Sequence, residues 1–98
     1  MEIRKEKKDS ALSMAIEGRI DTTTAPQLES ALKDSLNGVE KLSFDFAALE
    51  YISSAGLRVL LGAQKTMNRQ GSMVIHNVNS EIMEIFEITG FADILTIE

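Results

Sequence analysis

A chain of 98 residues with 44% hydrophobic and 26% charged side chains has the make-up of one globular domain, long enough to hold its own core and too apolar to remain disordered. Fifteen acidic against ten basic residues leave a formal net charge of −5, which argues against a nucleic-acid footprint; with no cysteine, disulfides, thiolate metal sites and cysteine nucleophiles are excluded. No apolar run approaches the ~18 residues that span a bilayer, and Met1 to Lys8 carries no apolar signal-peptide region, so the expectation is a cytoplasmic protein with neither membrane nor nucleic acid as partner.

Within residues 2–8, Lys5, Lys7 and Lys8 form a small basic cluster that alternates with Glu6, the charge pattern of a solvated edge strand. Leu12, Met14 and Ile16 alternate with Ser13, Ala15 and Glu17, the period-2 signature of a half-buried strand. Asp9-Ser10 supplies turn chemistry between them, so 2–8 and 11–17 are predicted to form a hairpin that Gly18 ends. Thr24-Ala25-Pro26-Gln27 reads as a helix start, with Thr24 and Gln27 in a capping box and Pro26 tolerated in the first turn. Leu28, Leu32 and Leu36 form its apolar stripe, broadened by Ala25 and Ala31, and Gly38 follows as a C′ residue.

Leu42, Phe44 and Phe46 alternate with Ser43 and Asp45 in a second core strand. After a loop over 47–53, Leu57, Val59, Leu60, Leu61 and Ala63 make a helix apolar around much of its first two turns, which only a buried helix tolerates. It turns polar at Gln64 and stops at Gly71; Met73 to His76 is a third core strand. Asn79 is placed to cap a helix with the face Ile82, Ile85, Phe86 and Thr89, ended by Gly90, and Ile94 to Ile97 reads as a short last strand. The order is β-β-α-β-α-β-α-β. Beyond the hairpin each strand-helix-strand unit calls for a right-handed crossover and parallel pairing. The fold class is therefore α/β, with a mixed sheet, helices packed on it, and one domain over 1–98.

Chemistry is sparse. Ser53 and Ser54 stand where the buried helix begins, beside backbone N–H groups without intrahelical partners. Such a hydroxyl suits a helix cap, and equally a covalently attached phosphate. A serine hydrolase would need a general base, and the only histidine, His76, lies in a strand pattern; the G-x-S-x-G elbow is missing too. No metal-ligand spacing and no phosphate-cradling glycine loop occurs. The residues point to no enzyme, no cofactor and no metal site, and Asp21 and Asp45, each taken alone, read as turn and strand-end carboxylates.

Taken together, four segments resemble the STAS domain. Gly18-Arg19-Ile20-Asp21-Thr22-Thr23-Thr24-Ala25 is similar to its G-x-L-D-x-x-T-A opening, Leu42 to Phe46 to its central strand, and Tyr51-Ile52-Ser53-Ser54-Ala55-Gly56-Leu57 to its signature. Gly71 to Ile75 and Phe86 to Phe91 resemble the strand and helix ending that follow. The order is kept from end to end, and stand-alone anti-sigma factor antagonists of bacteria are the members it most resembles.

The resemblance implies a phosphorylation switch. The unmodified protein would sequester an anti-sigma factor that carries serine kinase activity, and so regulate transcription; the kinase would modify a serine at this helix start, and a PP2C-type phosphatase would reverse it. Alignment on Gly56 and Leu57 puts the phosphoacceptor at Ser54, while Ser53 stands where many relatives carry aspartate and is the alternative acceptor. Asp21, Thr22, Ser53, Ser54, Ala55, Gly56, Leu57 and Arg58 are the implied partner-binding residues, on a monomer that forms heterocomplexes. Two other readings stay open: a constitutive STAS scaffold whose serines only cap the helix, and a module that binds a nucleotide or other small ligand.

Overall fold

The computed structural model describes residues 1–98. Strand β1 (Glu2–Lys8) pairs antiparallel with β2 (Ala11–Ile20), from Glu2 opposite Glu17 to Lys8 opposite Ala11. Asp9 sits in the left-handed region at φ 55° in the turn between them, a conformation aspartate tolerates better than most residues. Helix α1 (Ala25–Ser35) leads to β3 (Lys41–Asp45), then β4 (Leu49–Ile52), helix α2 (Ser54–Gln70), β5 (Ser72–His76), helix α3 (Ser80–Thr89) and a 3-10 turn over Phe91–Asp93. Strands β1, β2, β3 and β5 lie side by side in that order, and β4 pairs with the far end of β2. All pairings beyond the hairpin are parallel, as the crossover rule requires.

The alternating positions act as expected. Leu12, Met14 and Ile16 of β2, Leu42 and Phe44 of β3, and Met73 and Ile75 of β5 are buried in one core cluster with Leu28 and Leu32 of α1, Leu57, Leu60, Ala63 and Met67 of α2, and Ile82 and Phe86 of α3. A full burial of one such Leu, Ile or Phe side chain stabilises by about 1.5–3 kcal/mol. The helices therefore cover one face of the sheet. The other face carries Ser13, Ala15, Ser43, Asp45 and His76, none of them buried, with Ser13 and Ser43 hydroxyls 3.1 Å apart.

Several expectations need correction. The loop predicted over 47–53 contains β4. Its register against β2 jumps from Gly18 opposite Leu49 to Arg19 opposite Tyr51, leaving Glu50 as an extra residue. Such a bulge shifts the side-chain alternation by one, so Leu49 and Ile52 both face the core and the period-2 signal vanishes. Gly18, at φ +98°, takes its left-handed turn within β2 rather than ending it. The element order is accordingly β-β-α-β-β-α-β-α.

The strand expected over 94–97 shrinks to one parallel bridge, Ile75 to Ile97, with Ile94 exposed. Thr24 begins α1, but its φ −100°, ψ −22° is already helical. From that geometry the hydroxyl does not reach the first-turn N–H of Gln27, and the capping box does not form; the Thr24 hydroxyl accepts from the Asp21 N–H at 2.8 Å and donates to the Arg19 carbonyl at 2.9 Å. Gly38 takes a left-handed φ of +80° one residue later than expected, since Leu36 is the C-cap.

Candidate functional site

The implied site residues converge because β2 and β4 end together. Ile20 and Ile52 are register partners, so Asp21 and Ser53 leave the sheet side by side. The Ser53 N–H donates to the Ile20 carbonyl at 2.8 Å, which fastens the start of α2 to the end of β2. The helix also comes very close to both strands. A Cβ on Gly56 would lie 2.6 Å from Ile20 Cγ2 and 2.7 Å from Ile52 Cγ1, so only glycine fits there without displacing buried side chains.

The two serines are not equivalent. Ser53 is the N-cap, in extended conformation at φ −92°, ψ 174°, and its Oγ accepts from the Gly56 N–H at 3.3 Å. Ser54 is the first helical residue and is exposed, and its hydroxyl takes part in none of the side-chain hydrogen bonds of the protein. The cap rests on one serine, and the other hydroxyl is free.

Asp21 turns back on its own loop. One carboxylate oxygen accepts from the Thr23 hydroxyl at 2.7 Å, the Thr23 N–H at 3.0 Å and the Thr24 N–H at 3.1 Å. These bonds, the Thr23 hydroxyl foremost, hold its pKa below the ordinary 3.8. Asp21 thus fixes the loop that carries Thr22. Exposed Thr22 lines a crevice of about 170 Å³ with Pro26 and Glu29 of α1 and Ala55 and Arg58 of α2. Gly56 and Leu57 are buried, so they shape this surface from beneath rather than offering side chains to it. Arg58 is exposed and also borders a groove of about 460 Å³ between α1 and α2, with Leu32, Val59, Gly62 and Thr66.

Other polar residues have settled partners. Asn79 accepts from the Ile82 N–H at 2.9 Å as the cap of α3 and donates to the Leu49 carbonyl at 3.0 Å. Asp45 accepts from the Asn77 amide at 3.0 Å and the Ala47 N–H at 2.9 Å. Its pKa is lowered, by Asn77 chiefly and then by Ala47, with smaller help from the charges of His76 and Arg4. His76 follows buried Ile75 in β5 and so points from the opposite face of the sheet to that on which α2 packs. The only imidazole is thereby separated from both serines by the sheet. No group of three or more histidine or acidic side chains is placed to hold a metal ion, and no helix is long and apolar enough to cross a membrane.

One feature of the site escapes a reading of sequence alone. The Arg19 guanidinium stacks on the Tyr51 ring, 4.5 Å from its centroid, a cation–π contact. The pair exists because the bulge at Glu50 sets Arg19 opposite Tyr51, a register that no periodic signal in residues 49–52 marks.

The STAS domain profile matches residues 2–98. The chain is 34% identical to BtrV of Bordetella bronchiseptica, over 99% of this chain and 85% of that one. It is 33% identical to the anti-sigma-B factor antagonist of Listeria monocytogenes, over 96% of this chain and 84% of that one. Among solved structures, the anti-sigma factor antagonist SpoIIAA in its unphosphorylated form superposes with a TM-score of 0.78 at 15% identity, over 99% of this chain and 87% of that one. The phosphorylated form of SpoIIAA, from Bacillus, gives 0.77 at 15% identity, over 99% and 91%.

Proposed function

The chain belongs to the STAS domain family, and from that premise we propose that it is an anti-sigma factor antagonist: a protein-binding module switched by phosphorylation of Ser54. In its unmodified form it binds an anti-sigma factor that is also a serine kinase, and the sigma factor is released to act. The kinase transfers the γ-phosphoryl group of ATP to Ser54 Oγ: the new O–P bond forms as the bond from the β–γ bridging oxygen to the γ-phosphorus breaks, ADP leaves, and the hydroxyl proton is released. A PP2C-type phosphatase hydrolyses the ester, returning the hydroxyl and inorganic phosphate. The names of the Listeria relative and of SpoIIAA, the latter known in both phosphorylation states, support this reading.

The single observation that carries it is the division of labour between the serines. Ser53 holds the cap, so chemistry at the exposed, unbonded Ser54 hydroxyl leaves the helix start intact. A phosphate adds about −1.5 to −2 charges. At the first turn of a helix that charge faces free backbone N–H groups and is tolerated by the fold. The cost falls on a partner that covers the site, because the phosphate must be desolvated there or meet carboxylates. Thr22, Ala55 and Arg58 form the exposed or half-buried part of that docking surface, Asp21 holds the Thr22 loop in place, and Gly56 and Leu57 set its backing.

The test is binding of the anti-sigma factor to the wild type and to Ser54→Asp, Ser54→Ala and Ser53→Ala. The switch requires Ser54→Asp to weaken binding strongly while its melting temperature stays near wild type, and Ser54→Ala to keep binding. Equal binding by Ser54→Asp and wild type would instead identify a constitutive scaffold.

A further inference from the structure

Resting on the phosphorylation of Ser54 proposed above, we infer that Arg58 is the built-in counter-ion of that phosphate, so that modification withdraws a cation from the docking surface as well as adding negative charge. Ser54 and Arg58 stand at i and i+4 of α2, and both are exposed. Residues so spaced are neighbours on a helix surface, with Cβ atoms about 5–6 Å apart. Helical side chains lean toward the N-terminus, a direction that brings the turn holding Ser54 within reach of a long side chain at position 58. The acid-before-base order at this spacing is the favourable one.

Arg58 is available for this. It belongs to no ion pair; the one salt bridge of the protein joins Lys33 to Glu29 at 3.7 Å. Glu29 is the acidic residue that shares the α1–α2 crevice and groove with Arg58, and it already faces Lys33. Arg19, the other guanidinium close to the strand ends, is stacked on Tyr51. The first turn of α2 contains no acidic residue to compete for the guanidinium. The phosphate dianion would thus meet a free guanidinium, whose planar fork matches phosphate oxygens in pairs. Before modification the same guanidinium is open to a carboxylate of the partner at the rim of the crevice; after it, that contact is lost internally.

The pairing is tested without a kinase, on the 98-residue chain carrying phosphoserine installed at 54 by genetic-code expansion. The ³¹P resonance is titrated with pH in the Arg58, Arg58→Lys and Arg58→Ala forms. A neighbouring cation favours the dianion and lowers its titration midpoint. The midpoint should lie roughly 0.15–0.4 pH units lower with Arg58 than with Arg58→Ala, the magnitude of a helical i, i+4 ion pair at 1.36 kcal/mol per unit. Arg58→Lys should fall between them, and the gap should close in about 1 M salt, where screening acts within ~3 Å. Coincident midpoints for Arg58 and Arg58→Ala, with both proteins folded by circular dichroism, would overturn the pairing. That failure is distinct from failure of the switch, which would appear as a native chain never phosphorylated at Ser54 even though the installed phosphate titrates as expected.

Discussion

Replacing Gly56 by alanine adds one methyl group, and the structure fixes where it goes. It would sit 2.6 Å from Ile20 Cγ2 and 2.7 Å from Ile52 Cγ1, both closer than side-chain carbons approach in practice. Ile20 and Ile52 are buried to within 1% in the core, at the ends of two paired strands, so neither can swing aside into solvent. Overpacking of this kind costs about 1–3 kcal/mol, and two rigid contacts from two strands put it in the upper half of that range. Against this stands the gain of about 0.5–1 kcal/mol that alanine brings over glycine within a helix. The net is a destabilisation of about 1–2 kcal/mol, or a melting temperature lowered by roughly 5–15 °C at 4–8 °C per kcal/mol for a domain of this size. Thermal and urea unfolding followed by far-UV circular dichroism measure it, and unchanged m-values would show that only stability has moved. A Gly56→Ala protein as stable as the wild type, or more so, would refute the argument that close approach of α2 to β2 and β4 is what demands glycine in the Ser-Ser-Ala-Gly-Leu segment.

The division between the serines predicts unequal costs: Ser53→Ala should lose about 1 kcal/mol with the cap, while Ser54→Ala should stay within about 0.5 kcal/mol of wild type; equal losses in urea unfolding would contradict the assignment of the cap to Ser53. The Asp21 carboxylate has its pKa lowered in the folded state by Thr23 and Thr24, so its contribution to stability is present above the ordinary carboxylate range and is lost as pH falls through the lowered value. The stability difference between wild type and Asp21→Asn should therefore shrink on acidification, and a difference that stays constant from neutral pH into the acid limb would show that these hydrogen bonds do not favour the ionised form.

Much of this architecture was legible because burial on one face writes itself into spacing. The alternation of Leu12, Met14 and Ile16, of Leu42 and Phe44, and of Met73 and Ile75 marked three strands. The Asn79 cap and the Gly90 ending bounded α3 where expected. The misses have a common cause in contacts between residues distant in sequence. Glu50 bulges from β4 because of its pairing with β2, and that erases the periodic signal of residues 49–52. Thr24 abandons a capping box for the Arg19 carbonyl and the Asp21 N–H, partners fixed by how β2 ends. The site shows the same limit. Sequence brought Ser53 and Ser54 to a helix start but left open which of them caps it. That choice depends on where the backbone becomes helical, and here the Ser53 N–H bond to the Ile20 carbonyl settles it.

The most direct test of the central claim is peptide mass spectrometry on the chain isolated from its own cells across growth and stress, with Ser54→Ala in parallel. The account predicts one phosphate localised to Ser54, absent from Ser54→Ala and not moved to Ser53. A chain that stays unmodified under every condition, or carries its phosphate on Ser53, would contradict it.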